Sequence, residues 1–233
     1  MPQSNLRPLR LHIPEPPARP GEAADYSAFD VPPVDAAHRP DTAAAAHETR
    51  DLSYGLIRVL GDDHQAGGQW NPRLSPDTLR AMLRAMALTR AFDDRMFRAQ
   101  RQGKTSFYMK CTGEEATAIG AAYAMANDDM MFPSYRQQGV LLARGCPPER
   151  MMNQIYSNRA DRLKGRQLPI MYSEPDYAFF SISGNLATQL PQAVGWAMAS
   201  AARGDTRIAA SRCGGGATAA GDFHAALPSA TVH

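Results

Sequence analysis

The chain has 233 residues, of which 44% are hydrophobic and 21% charged, and a formal net charge of +2. That length sets an expectation of one globular domain with a tail. So small a net charge, with no Lys/Arg cluster interleaved with aromatics, excludes a nucleic-acid binder, and no apolar run approaches the roughly 20 residues of a membrane span. The start of the chain lacks a secretory apolar core, and Glu15, Glu22 and Asp25 interrupt any basic amphipathic presequence. A cytoplasmic location follows as the expectation. Cys111, Cys146 and Cys213 are widely spaced and form no CxxC, which reads as free thiols.

Residues 1–50 hold nine of the eighteen prolines and the run Ala43-Ala44-Ala45-Ala46. This composition predicts a flexible arm, set apart from a domain over residues 51–233. Within the arm, Leu9, Leu11 and Ile13 alternate, so a short strand lying on a partner stands as a second reading. His12, His38, His47 and His64 lack metal-ligand spacing. Asp51–Leu60 reads as a short strand and Asp62–Pro72 as a turn-rich loop.

Ser75 as N-cap and Pro76 at the first helical position predict a long helix. Its apolar stripe is Leu79, Met82, Leu83, Met86, Phe92, Met96 and Phe97, read as core, with Arg90, Asp93, Asp94 and Arg95 on the solvated side. Gly103-Lys104-Thr105 resembles a P-loop fragment, but Arg98 stands where the upstream glycine is required, so that reading fails. Thr112-x-x-Glu115 predicts a capping box that opens a helix from Gly113 to Met125, with Glu114 and Glu115 acting on the helix dipole. Asp128–Pro133 reads as a strand that delivers Tyr135-Arg136-Gln137-Gln138 onto a helix ending at Gly145. A cation at a helix start opposes the dipole, so Arg136 calls for an anion there. Pro147–Asn158 is a further helix.

Ser183, Gly184 and Asn185 are N-cap types, and Pro191 is tolerated if the next helix begins near Leu190. Val194, Trp196, Ala197, Met198 and Ala201 make that helix apolar on most faces, which predicts burial. Arg203-Gly204 stops it. Thr206–Cys213 is a strand ending in Gly214-Gly215-Gly216 ahead of another helix, the place where an α/β sheet puts a phosphate site.

Several of these segments resemble one family. Ser183-Gly184-Asn185-Leu186-Ala187-Thr188-Gln189 with Pro191-Gln192-Ala193-Val194-Gly195, the stretch Ser106–Gly120, and Gly214–Thr218 resemble the alpha subunit of thiamine-diphosphate 2-oxo acid dehydrogenases. Gly165-Arg166-Gln167-Leu168-Pro169 is similar to the bacterial branched-chain (2-oxoisovalerate) type. The resemblance covers roughly residues 50–230. It implies an α/β fold, a mostly parallel sheet with helices on both faces.

The resemblance also implies thiamine diphosphate and magnesium as cofactors, a beta subunit in an α2β2 tetramer, a lipoyl-bearing acyltransferase, and a small 2-oxo acid substrate. Tyr135 and Arg136 match its cofactor contacts, with the arginine on the diphosphate. Gly184 and Leu186 match positions at the cofactor, and Gly216 and Ala217 match amide donors near the diphosphate. Ser183, Thr188 and Gln189 match positions that hold potassium in some members.

The chain also departs from that pattern. Gly215 stands where the family has its magnesium carboxylate, Ala220 where it has an acidic residue, and Arg212 and Cys213 where it has apolar strand residues. The catalytic histidine is expected beyond the chain end, Pro228–His233 lies outside the resemblance, and the sheet is expected to be short of strands. The chain alone is therefore expected to be inactive. Alternatives are a pyruvate or acetoin dehydrogenase alpha subunit, a non-catalytic remnant, and a nicotinamide-binding module on Gly214-x-Gly216-x-x-Ala219.

Overall fold

The computed structural model describes residues 21–23, 30–41, 43–45, 47–53 and 55–232. The Leu9-Leu11-Ile13 alternation lies outside them. Contacts divide the chain into two compact units that meet in sequence at Arg73 and Leu74.

In the first unit, Arg50–Ser53 is a single 3₁₀ turn and Leu60 bridges Ala66 in antiparallel fashion, so the strand expected over Asp51–Leu60 does not form. Gly61 and Gly67 close this tight loop by donating to the Gln65 and Val59 carbonyls at 2.9 and 3.0 Å. Part of the expected arm is tied to that loop. Trp70 Nε1 donates to the Ala37 carbonyl at 2.8 Å, and the Gln69 amide donates to Asp35 Oδ1 at 2.7 Å. Gly68 is required here: its φ is +82°, and a Cβ would meet Asp35 Cβ at 2.9 Å.

The second unit opens with α1 (Pro76–Arg101), capped as expected by Ser75 Oγ, which accepts from the Thr78 amide at 3.1 Å. Of its expected stripe only Phe92 and Met96 are buried, joined by Ala99 outside the stripe; Leu79, Leu83 and Phe97 are 51%, 63% and 38% exposed. Asp93, assigned above to the solvated side, is fully buried. It accepts from Tyr108 Oη at 2.7 Å, the Cys111 amide at 2.7 Å and Gln138 Nε2 at 2.8 Å. Three donors take the place of water, which is what lets a carboxylate sit there.

Helix α2 (Glu115–Ala124) has no side-chain cap, so the capping box is absent. Glu115 instead turns inward, takes the Gly113 amide at 2.8 Å and pairs with Arg90. β1 (Met130–Phe132) leads to α3 (Gln138–Ala143), which stops before Gly145 at φ +81°, and α4 (Pro148–Ile155) follows. Gly103-Lys104-Thr105 is a structural turn, with Thr105 Oγ1 donating to the Ile155 carbonyl at 2.7 Å.

Helix α5 (Gln189–Ala202) starts late enough to keep Pro191 in its first turn. β2 (Ala209–Ser211) then pairs in parallel with β1, Met130 opposite Ala209 and Phe132 opposite Ser211. On the other side of β1, Met131 bridges Phe179 in parallel, and its amide donates to the Ala178 carbonyl at 2.8 Å. Around this small parallel sheet lies the core, with Met96, Val140, Leu141, Met151, Ile155, Tyr172 and Phe179 nearly or fully buried. Each such side chain contributes about 1.5–3 kcal/mol through burial. The architecture is α/β.

Helix α5 is not buried as its composition suggests. It packs on the strands and on α6 (Gly221–Val232), but Gln189, Ala193 and Ser200 are its buried residues and Met198 is 40% exposed. An apolar groove bordered by Val194, Ala197, Met198 and Leu227 remains between the two helices. Pro228 lies inside α6, which continues through Val232.

Candidate functional site

Because β1 and β2 run in parallel, both carboxyl ends open on one edge of the sheet, where an α/β fold places a ligand. Beyond Phe132 the chain passes through Ser134, Tyr135, Arg136 and Gln137. Beyond Ser211 it passes through Arg212, Cys213 and the glycine run. These two stretches face a single cavity of about 180 Å³, walled on one side by Ser183, Asn185, Leu186 and Gln189 and on another by Glu114, just before α2, and Thr117 within it.

The cavity brings together Tyr135, Arg136, Ser183, Leu186, Gln189, Gly216 and Ala217 of the expected site. Gly184, Thr188 and Gly215 are not among its lining residues. Ser183 and Asn185 form a local turn and not an N-cap: the Asn185 amide donates to Ser183 Oγ at 3.2 Å, and Thr188 is the capping position of α5. Thr188 Oγ1 donates back to the Asn185 carbonyl at 3.2 Å.

Arg136 is half-buried and held on three sides. Its Nη1 donates to the Lys110 carbonyl at 2.9 Å, its Nε lies 3.6 Å from Glu114 Oε1, and its guanidinium carbon sits 5.5 Å from the Tyr135 ring centroid. Glu114 therefore faces the cavity and balances Arg136, a role beyond the helix dipole. Arg212 is the second guanidinium. Its Nη1 donates to the Thr117 carbonyl at 2.8 Å, its amide donates to the Phe132 carbonyl at 3.0 Å, and its carbonyl accepts from Gln189 Nε2 at 2.6 Å. Burial pushes its pKa down, against a smaller opposing pull from Glu114. Gln137 is buried, and its Oε1 has no partner.

Gly214, Gly215 and Gly216 all have ordinary negative or extended φ, and a Cβ on any of them would meet nothing within 4 Å. The run is not required by backbone conformation; it leaves this wall free of side chains. Gly215–Ala219 forms a 3₁₀ turn, and the Ala217 amide is engaged with the Gly214 carbonyl at 3.0 Å. A nicotinamide fingerprint needs its glycines to open an α-helix, and here α6 begins only at Gly221.

In the sequence Arg212 stands out only as a departure from the family pattern, and no motif marks Gln137 as a wall residue. The usable signal for both was position, since each follows closely on the carboxyl end of a parallel strand.

The donor set fits an anionic, phosphate-bearing group: two guanidiniums, backbone amides and polar side chains around one opening. It does not fit magnesium. The cavity's one carboxylate, Glu114, is already paired with Arg136, Gly215 has no side chain, and no cluster of three His, Cys, Asp or Glu that could hold a metal occurs among the described residues.

The family model described as dehydrogenase E1 component matches residues 83–233. This chain belongs to that family. The E1 match includes α6 and the stretch after Pro228, which the resemblance had left out. A second model, the 2-oxoisovalerate dehydrogenase E1 alpha subunit N terminal, matches residues 7–47, so the proline-rich arm also has counterparts among E1 chains.

The chain is 55% identical over 230 residues to the 2-oxoisovalerate dehydrogenase subunit alpha of Pseudomonas aeruginosa, covering 99% of this chain and 56% of that one. It is 41% identical over 155 residues to the mitochondrial 2-oxoisovalerate dehydrogenase subunit alpha of Homo sapiens, covering 66% and 35%. With subunit alpha 2 of Arabidopsis thaliana it shares 35% identity over 212 residues, covering 90% and 44%. The chain thus spans about half the length, or less, of the curated relatives it matches. E1 components of this family depend on thiamine diphosphate.

Proposed function

We propose that this chain is the cofactor-holding portion of a 2-oxoisovalerate dehydrogenase alpha subunit, which oxidatively decarboxylates 3-methyl-2-oxobutanoate and related 2-oxo acids. The observation that carries the reading is the shared cavity, with Tyr135-Arg136 and Gly214, Gly216 and Ala217 of the glycine turn on its walls. The relatives' names favour the branched-chain substrate over pyruvate or acetoin.

Arg136 binds the diphosphate of thiamine diphosphate, and the amide of Gly216 approaches it from the glycine turn. Ala217 lines that wall, but its amide is already engaged. Tyr135 stacks on the Arg136 guanidinium and restricts its orientation, while Leu186 provides an apolar wall beside the ring system. Gly184 adjoins Ser183 in the chain and stands outside the cavity lining. Ser183 and Gln189 on the cavity wall, with Thr188 beside them in the chain, offer oxygens of the kind potassium takes. Magnesium has no carboxylate to hold it here. Bound thiamine diphosphate would supply the electron sink for loss of carbon dioxide from the 2-oxo acid.

A beta subunit, within an α2β2 tetramer, completes the site, and the acyl group passes to the lipoyl domain of an acyltransferase. The apolar groove between α5 and α6 supports a chain that packs against others. The bacterial relative supports a cytoplasmic location. Calorimetric titration tests the reading: thiamine diphosphate binds while NAD and unphosphorylated thiamine bind far more weakly. Equal or tighter binding of NAD would overturn it. Without a beta subunit the chain is expected to turn over no 3-methyl-2-oxobutanoate.

A further inference from the structure

We infer that this cavity holds its diphosphate-bearing ligand without a divalent metal, with Arg212 acting beside Arg136 as a second charge anchor. The inference rests on the cofactor reading of the cavity and adds to it how the ligand's charge is neutralised.

Three charged side chains face the cavity: Arg136, Arg212 and Glu114. Glu114 lies 3.6 Å from Arg136, while Arg212 has no carboxylate within 4 Å among the described residues. A half-buried guanidinium without an anion carries an uncompensated desolvation cost. One of its five donors goes to the Thr117 carbonyl, which leaves others for a ligand. An incoming phosphate would supply the missing anion and could be gripped in bidentate fashion. A divalent cation in the same space would face two guanidiniums and no unpaired carboxylate.

Two further features favour direct binding. The glycine run leaves room beside Arg212, since a Cβ at Gly214, Gly215 or Gly216 would touch nothing within 4 Å. Gln137, only 4% exposed, borders the cavity as a polar residue whose Oε1 has no protein donor.

The test titrates the purified 233-residue chain with thiamine diphosphate and with inorganic pyrophosphate, once in excess EDTA and once in excess magnesium. Affinities in the two conditions are expected to agree within about threefold. Arg212→Leu is expected to weaken binding in EDTA by about tenfold or more, and Arg212→Lys by less. Circular-dichroism melting checks that each variant folds. Should Arg212→Leu fail, Arg212→Gln keeps a donor for the Thr117 carbonyl and reads the same loss.

Binding that appears only with magnesium, or that Arg212→Leu leaves unchanged, overturns this inference and leaves the cofactor reading standing. Failure of both ligands to bind in both conditions overturns the two together.

Discussion

Asp93 and Gln138 lie 45 residues apart in sequence, and the Gln138 side-chain amide donates to the Asp93 carboxylate at 2.8 Å. With its bonds to Tyr108 and the Cys111 amide, Asp93 joins α1, the segment before α2 and the start of α3. Arg136, two residues before Gln138, donates to the Lys110 carbonyl, next to Cys111. Removing the carboxylate leaves the Tyr108 hydroxyl and the Cys111 amide unpaired, at roughly 1–3 kcal/mol each, and leaves Gln138 Nε2 only its longer bond to the Met109 carbonyl. Asp93→Ala is therefore expected to lower stability by about 3 kcal/mol or more, and Asp93→Asn by less. Urea unfolding midpoints read both. An unchanged midpoint for Asp93→Ala would contradict this account of the joint.

Arg144 ties two stretches of backbone together. It donates to the carbonyls of Tyr177 at 2.8 Å, Ala178 at 3.0 Å, Asp129 at 3.0 Å and Ala126 at 3.3 Å. Burial pushes its pKa down, an effect that nearby Asp129 and Asp128 oppose. Lysine has three donors and no planar fork, so it cannot serve four carbonyls in this arrangement. Arg144→Lys is expected to cost about 1–3 kcal/mol in a denaturation curve, and Arg144→Ala more.

The Arg90–Glu115 pair gives an acid-sensitive contribution. The hydrogen bond from Arg90 holds the Glu115 carboxyl below the ordinary glutamate range. The folded state therefore binds its proton at lower pH than the unfolded chain does. The contribution is fully present above the ordinary value of about 4.3 and is lost as pH falls through the folded value. Arg90→Met is expected to lower stability at neutral pH and to flatten the loss on acidification below about pH 4.3. Urea midpoints taken across that range would show the flattening; an unaltered pH profile would argue against the pair.

The three thiols differ in access. Cys111 and Cys146 are buried and Cys213 is exposed. Burial pushes the Cys146 thiol up to about 12 and raises Cys111 as well, so neither forms a thiolate near neutral pH. A thiol reagent is expected to label one cysteine quickly in the native chain and all three in denaturant. Cys213 lines the cavity, so thiamine diphosphate is expected to slow its labelling. Labelling at the same rate with and without that ligand would count against the cavity as its site.

Local chemistry made much of this fold legible in the sequence. Ser75-Pro76 marked the start of α1, Arg203-Gly204 marked the end of α5, and Thr206–Cys213 contained β2. Tertiary pairing was not legible. Nothing local distinguishes Asp93 from Asp94, and only its distant donors make Asp93 a core residue. Glu115 fitted a capping pattern, yet the guanidinium of Arg90, 25 residues earlier, draws it inward. Leu79 and Leu83 kept helical spacing but have no element over them among the described residues. In the site, Arg136 and the glycine turn were readable one by one. Their meeting depends on the parallel pairing of β1 with β2, a contact between stretches some 80 residues apart.

A crystal structure of the chain grown with thiamine diphosphate tests the central claim most directly. The expected result is a diphosphate in the cavity beyond the carboxyl ends of β1 and β2, within hydrogen-bond reach of the Arg136 guanidinium and the Gly216 amide. A diphosphate bound elsewhere, or a cavity in which Arg136 and Gly214–Gly216 face different spaces, would contradict it.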